Sequence, residues 1–379
     1  MSAGVLNAAQ MMKFFTSAQA VSYSQSTKPE LEYGASSIDI PLGSRYWIMK
    51  ASCRPHEKMS LTDLINAYAE SGPHPLKAGT ELHSNHVYWI ESAFETIRLP
   101  DQVCARATGK SSIGRLDTMV RLVAENEAEF DRISVGKSRR VLLEVVPITF
   151  SLIVQPGISL SQLRLIRGTE EHCSVSVKAL QLEESPILVD PSGAAAQIEV
   201  IEDDPHAVLL RLDLSDDQKL GFCGWVAKQN PPSPIDLSKK KHYPSAQFWE
   251  PVYRKNDSVV IEQDRFYIFR SRQRFRVPGH LSVDCRAYSE GLGDIRIHYA
   301  GFAHPWFGYN REDDPLDKRG TPLIFEVRGF SMPTILHDAS PLAKVYFRRM
   351  SGTVDKPPRT DSKSNSYTGQ ELTLSNYFS

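Results

Sequence analysis

The sequence predicts a mainly β fold in which one barrel-like unit is used twice. Three observations carry this reading. Short apolar runs rich in Val, Ile, Leu, Tyr and Phe recur between Gly, Pro, Asn and Asp, as strands and turns require. Helical periodicity is confined to a few short stretches. Several strand-like runs return in the second half, in the same order and at nearly one spacing, which is the mark of a duplicated unit. Short strands of this kind suit a jelly-roll-like or distorted β-barrel.

Taken in order, residues 8–17 and 61–69 read as helices, with residues 215–220 as a third. Tyr88-Trp89-Ile90-Glu91-Ser92, followed by Ile97-Arg98-Leu99-Pro100, is echoed by Tyr267-Ile268-Phe269-Arg270-Ser271 and Phe275-Arg276-Val277-Pro278. Val141-Leu142-Leu143-Glu144-Val145 returns as Leu323-Ile324-Phe325-Glu326-Val327, and Ser161-Gln162-Leu163-Arg164-Leu165 as Ala343-Lys344-Val345-Tyr346-Phe347. The turn-rich stretch 190–196 suits a connection, giving repeats over residues 1–195 and 196–379. Residues 229–234 and the basic Lys239-Lys240-Lys241 read as an exposed lead-in to the second copy, the triplet as solvated surface. The tail, residues 351–379, is rich in Ser, Thr, Asn and Lys and reads as flexible.

Composition narrows the function classes. A chain of 379 residues has room for two cores, and 41% apolar with 23% charged residues is ordinary for a globular protein. A net charge of −1 supplies no basic field for nucleic acid. No segment approaches the ~20 apolar residues of a membrane span, and residues 1–20 lack the pattern of a signal peptide. Cys53, Cys104, Cys173, Cys223 and Cys285 form no Cys-x-x-Cys pair, which points to reduced thiols, a cytoplasmic setting and no structural zinc.

The densest chemical signal is Thr108-Gly109-Lys110-Ser111-Ser112-Ile113-Gly114-Arg115, which follows the strand-like Val103-Cys104-Ala105-Arg106-Ala107. Small residues let backbone N–H groups approach an anion, Ser hydroxyls donate to phosphate oxygens, and Lys and Arg neutralise charge. A P-loop would need Gly at position 104, which is Cys104. On its own the segment could also be a polar surface turn.

Lys110-Ser111-Ser112-Ile113-Gly114-Arg115-Leu116 resembles the phosphate-binding segment of the dCTP deaminase and trimeric dUTPase superfamily. The whole chain is similar to its two-repeat bacterial dCTP deaminases. Ala35-Ser36-Ser37-Ile38-Asp39-Ile40 matches the family's opening strand. Gln247-Phe248-Trp249-Glu250-Pro251 and Ile297-His298-Tyr299-Ala300-Gly301-Phe302 match the second repeat, and Tyr367-Thr368-Gly369-Gln370-Glu371-Leu372 the C-terminal segment. The resemblance implies tandem dUTPase-like barrels, a homotrimer, and a site to which different units contribute. The first copy keeps the phosphate segment, but its hairpin region, residues 124–131, lacks the Ala-Gly-Phe opening. The second keeps the hairpin Ala300-Gly301-Phe302-Ala303-His304-Pro305-Trp306-Phe307-Gly308. At its phosphate position stands Ala287-Tyr288-Ser289-Glu290-Gly291, where Glu290 would repel phosphate. The expectation is one composite site per chain, with phosphates held by copy one and base and sugar by copy two.

Deamination of cytosine needs water to attack C4, a proton to reach N3, and ammonia to leave. The zinc route uses His-x-Glu and Pro-Cys-x-x-Cys, neither of which occurs here. A metal-free route needs a carboxylate to carry those protons. Glu144 and Glu326 each sit within an apolar run, and pattern alone makes either a polar-face strand residue. The resemblance implies a catalytic Glu in this strand; sharing a unit with the intact hairpin ranks Glu326 first, with Glu144 a relic or a partner of Arg115. It also implies that Ser111 and Arg115 fix the water and that Lys110 and Ser112 hold the triphosphate. Ala300, Gly301, Phe302, His304 and Trp306 would cradle the nucleoside, with Tyr367 and Gln370 covering it. Magnesium is expected on the phosphates. The resemblance implies dCTP as substrate and dUTP as product, with dTTP inhibition left open. His304 and Trp306 stand where related hairpins carry Asp and Gly, and Thr373 near a tail Lys. Two alternatives remain at this stage: a dUTP diphosphatase, alone or combined with deamination, and a non-catalytic nucleotide-binding regulator.

Overall fold

The two eight-residue helices form where capping and periodicity coincide. In Ala8–Phe15, Asn7 accepts from the Gln10 N–H at 3.1 Å while Gln10 accepts from the Asn7 N–H at 3.0 Å, and Met11 and Phe15 face inward. In Leu61–Tyr68, Ser60 and Asp63 cap reciprocally and Leu61, Leu64 and Ile65 are buried. Residues 215–220, expected to be helical, form turns instead. Asp213 accepts from the Ser215 N–H and hydroxyl at 2.9 and 2.6 Å, and Asp217 from the N–H groups of Lys219 and Leu220 at 2.9 and 3.2 Å. Such local side-chain bonds compete with the helical ladder.

The computed structural model describes residues 2–17, 20–24, 29–136, 138–201, 204–287, 295–297, 301–309, 318–355 and 369–379. They divide into two units: Met1–His172 with Pro231–Pro244 and Ser375–Ser379, and Cys173–Asn230 with Ser245–Leu374. Both are mainly β.

In the first unit the strands Thr118–Ala124, Ser138–Pro147, Val87–Arg98, Ile38–Met49, Ser159–Arg167, Val103–Gly109 and Arg132–Ile133 are neighbours in that order. Every pairing is antiparallel. In the second the order is Ile295–Ile297, Thr321–Gly329, Phe266–Phe275, Asp204–Asp213, Pro341–Arg349, Leu281–Ala287 and Phe302–Ala303, again antiparallel throughout. The two orders are the same, so the sequence echoes mark equivalent strands of a tandem distorted β-barrel. The copies differ at one edge. Ile38–Met49 runs on past a bulge to pair Trp47 with Trp89. In the second unit the corresponding pairing, Trp225 with Ile268, belongs to a separate strand, Gly224–Ala227, reached after the Asp217 turn.

The units also exchange segments relative to the sequence-based boundary at residue 195. Val175, Val177, Leu180 and Leu188 belong to the second unit's core with Phe275 and Phe347, and Leu188–Val189 pairs with Phe266–Phe275. Conversely, Ile235–Asp236 runs parallel to Leu152–Val154 in the first unit, and Phe378 packs near Phe150 and Tyr243. The tail is therefore ordered over residues 369–379, where Leu372, Leu374, Tyr377 and Phe378 are all buried. Apolar residues spaced among the polar ones anchor it.

Gly308 turns the second unit's hairpin back with φ +87°, and a Cβ there would lie 1.7 Å from the Phe275 carbonyl oxygen. Gly308→Ala is expected to destabilise by well over 1 kcal/mol. Thermal melting would show this as a clear fall against the parent chain.

Candidate active site

The strand Val103–Gly109 delivers the segment 110–115 into one helical turn, Ser111–Gly114, closed by the Gly114 N–H on the Lys110 carbonyl at 3.0 Å. Buried Ile113 and Arg115 anchor it, leaving Lys110 and Ser111 half-buried. The Lys110 ammonium pairs with Asp39. Asp39 stands across from Gln162, whose side chain accepts from the Ser37 hydroxyl at 2.8 Å, so the opening motif is built into the same corner. The Ser112 carbonyl accepts from the Ser375 hydroxyl at 2.6 Å, tying the C-terminus to this turn. The arrangement offers a cation, a hydroxyl and a Gly-preceded turn, which is the chemistry of oxyanion binding.

Glu144 lies fully buried in the same unit, on Ser138–Pro147. Its Oε1 accepts from Arg121 Nη2 at 2.5 Å and the Ser52 hydroxyl at 3.1 Å; Oε2 accepts from the Cys53 N–H at 3.1 Å and the Trp89 indole at 3.2 Å. Arg121 is also stacked on Phe130, 4.1 Å from the ring centre. The partner expected for Glu144 was Arg115; the structure gives it Arg121, which stands directly across the strand pair. A cross-strand neighbour meets its partner through the register, whereas Arg115 lies on the turn before that strand.

Glu326 holds the equivalent place in the second unit, on Thr321–Gly329, and is also buried. Its charge is felt by Cys285, whose thiol is pushed up to about 12 by burial first and by Glu326 second. The position across from Glu326 that corresponds to Arg121 is residue 298, outside the described residues. Of the hairpin, Gly301, Phe302 and His304 are half-buried. The Trp306 indole N–H donates to the Val354 carbonyl at 2.6 Å, and the ring covers Gly279, where a Cβ would approach it to 2.8 Å. Trp306 thus braces the hairpin. Gln370 is buried and donates to the Pro322 carbonyl at 3.1 Å, on the strand that carries Glu326. Ala300, Tyr367, His298 and Glu290 lie outside the described residues.

The structure therefore gathers Lys110, Ser111, Ser112 and Arg115 in one unit and Glu326, Gly301, Phe302, His304 and Gln370 in the other. Sequence reasoning missed Arg121, Ser52, Cys53 and Trp89 around Glu144. Arg121 was available from period-2 pairing, but Ser52 and Cys53 lie in a loop that no local spacing connects to Glu144. Among the described residues, no group of three or more His, Cys, Asp or Glu is arranged to hold a metal ion.

Fold and site define a class: a tandem β-barrel with a Lys- and Ser-bearing turn in one barrel and a buried strand carboxylate in the other. Comparison with known proteins gives the family. The N-terminal domain profile of 2′-deoxycytidine 5′-triphosphate deaminase (DCD) matches residues 2–169, and its C-terminal domain profile residues 178–378. The chain belongs to the dCTP deaminase family. A "dCTP deaminase, dUMP-forming" of Methanobrevibacter smithii is 26% identical over 173 residues, 43% of this chain and 86% of that protein. One of Streptomyces coelicolor is 33% identical over 142 residues, 36% of this chain and 69% of its own. The crystal structure of 2′-deoxycytidine 5′-triphosphate deaminase from Agrobacterium tumefaciens superposes with a TM-score of 0.79 at 26% identity, covering 93% of this chain and 99% of that one.

Two predictions follow from the first unit's carboxylates. Arg121→Ala strands the Glu144 carboxylate without its counter-ion and is expected to cost about 3–5 kcal/mol, read by denaturant unfolding. Asp131 accepts from the Leu122 N–H at 2.7 Å, and burial raises its pKa to about 7. A raised carboxyl pKa contributes stability that is full below the unfolded value near 4 and is lost as pH rises through the folded value. Asp131→Asn is expected to flatten the fall in melting temperature between about pH 4 and 7; an unchanged slope would refute this.

Proposed function

We propose that this chain hydrolyses dCTP to dUTP and ammonia without a resident metal. Family membership across both units carries the reading. Phosphate holding is assigned to Lys110, Ser111, Ser112 and Arg115, and proton transfer to Glu326. Water attacks C4 and gives a proton to the Glu326 carboxylate. The carboxylate returns that proton to N3, then takes the proton of the C4 hydroxyl and passes it to the amino group, so that the tetrahedral intermediate collapses to the C4 carbonyl and ammonia. Ser111 and Arg115 orient the water, while Gly301, Phe302 and His304, with Ala300, receive the nucleoside and Gln370 with Tyr367 closes over it. Magnesium enters with the triphosphate as part of the substrate. The working form is a homotrimer, and the reduced state of all five cysteines suits the cytoplasm.

Glu326 is preferred over Glu144 because it shares its unit with the hairpin residues Gly301, Phe302 and His304; Glu144 is bonded to Arg121, Ser52, Cys53 and Trp89. The similar proteins described as dUMP-forming raise the question of a second step. That step attacks phosphorus and calls for a carboxylate in the hairpin, where this chain has His304, so dUTP is the product we assign.

Purified protein with magnesium is expected to release ammonia from dCTP with dUTP accumulating and little pyrophosphate. Pyrophosphate in step with ammonia would make dUMP the product, and no ammonia would remove the activity. Glu326→Gln is expected to lower kcat by on the order of 10²–10⁴ while still binding dCTP, and Glu144→Gln to stay within about tenfold. The reverse ranking would place the chemistry in the first unit. Ser111→Ala and Arg115→Ala should both abolish most turnover.

A further inference from the structure

Lys239-Lys240-Lys241 reads from sequence as solvated surface, and all three residues are exposed, yet Lys240 also has a defined place. Residues 235–243 form a strap on the first unit. Asp236 accepts from the Ser238 N–H at 3.0 Å and its hydroxyl at 2.7 Å, and Lys239 pairs with Asp236 at 3.2 Å. The chain then turns through Lys241 at φ +50°. The Tyr243 hydroxyl accepts from the Asp236 N–H at 2.6 Å and closes the loop. The C-terminal residues seal it, because the Lys241 and His242 N–H groups donate to the Asn376 and Tyr377 carbonyls, each at 2.9 Å.

This holds the Lys240 ammonium 3.6 Å from the centre of the Tyr377 ring and 3.3 Å from Asn376 Oδ1. One residue before Asn376, Ser375 is bonded to the Ser112 carbonyl of the phosphate turn. Strap, terminus and turn therefore converge, and Lys240 stands near enough to Lys110 to be repelled by it. Its pKa is lowered to about 8, by desolvation first and by Lys110 second, with Glu32 acting in the opposite direction. Lys110 already has Asp39 as a counter-ion. A second ammonium within its field is opposed by like charge unless an anion lies between them.

We infer that Lys240 is a phosphate ligand that joins Lys110 and the 110–115 turn in a polyphosphate-binding cluster. The inference rests on reading that turn as the triphosphate holder, and extends the cluster to a segment far away in sequence. Anion binding relieves the repulsion, so it is coupled to protonation of Lys240. Among the described residues, the charged groups that act on Lys240 are Lys110, with Asp39 on it, and Glu32, while the Asn376 amide and the Tyr377 ring contact it.

The test uses the full chain and calorimetric titration with dCTP and with inorganic tripolyphosphate, each with magnesium. Lys240→Ala is expected to weaken both by about tenfold or more, and Lys240→Arg to restore them to within a few-fold. Affinity of the parent chain should fall from pH 7 to pH 9 more steeply than that of Lys240→Arg, which keeps its charge. Tripolyphosphate affinity unchanged in Lys240→Ala, or a pH dependence shared by the parent and Lys240→Arg, overturns the inference. Ser111→Ala separates the two readings. If it loses binding while Lys240→Ala does not, only the Lys240 inference falls. If Ser111→Ala also binds normally, the turn is not the phosphate holder and both fall.

Discussion

Where a strand is hydrogen-bonded along both edges and its inward face is buried within the barrel, a charged side chain on that face has to find its partners inside the protein. Val87–Arg98 in the first unit and Phe266–Phe275 in the second occupy this place. The registers Leu42 with Ser92 and Leu212 with Ser271 put Glu91 and Arg270 in the same slot. The charge is reversed between the copies, so the surroundings are reversed too. Glu91 accepts two bonds from Arg45, at 3.0 and 2.6 Å, and faces Gly43, where a Cβ would approach its own Cβ to 2.8 Å. Arg270 instead donates to Asp213 at 2.8 Å and Asp217 at 3.0 Å, and Asp213 fills the place of the glycine. A buried charge is tolerated only with partners of this kind.

That reversal orders more than the strand. Asp217, required by Arg270, also caps the turn at 218–220 and accepts from the Leu372 N–H at 3.4 Å. Arg274, four residues along the same strand, forms a two-bonded pair with Glu371. The tail is thus drawn in by two arginines of the central strand, and Gln370 arrives at the Pro322 carbonyl as a consequence. A segment that composition alone marks as flexible is held by charges more than ninety residues away in sequence.

Much of this molecule is legible in its sequence because strand pairing writes a period of two into the chain. The echo of Glu144 in Glu326 and of Tyr88 in Tyr267 reports equivalent strands, and the two sheets share one strand order. The turn at 110–115 is legible because its residue types have few other uses together. What is not legible depends on tertiary partners. Ser215 to Leu220 has helical spacing, yet Asp213 and Asp217 bond the local N–H groups instead. Segments 231–244 and 375–379 fall within the second repeat in sequence but pack on the first unit. Lys240 carries no local sign of its place beside Lys110.

The two buried glutamates lie at the same point of equivalent strands, so burial alone does not distinguish them. The donors around Glu144 make it a structural group. A carboxylate offers about four acceptor directions, and in Glu144 they are filled by a guanidinium, a hydroxyl, a backbone N–H and an indole. Water could be activated there only by displacing one of these donors, and losing Arg121 would leave a buried charge unpaired. The carboxylate of the first barrel is thus a structural centre, held by donors from two neighbouring strands and from the loop at Ser52 and Cys53.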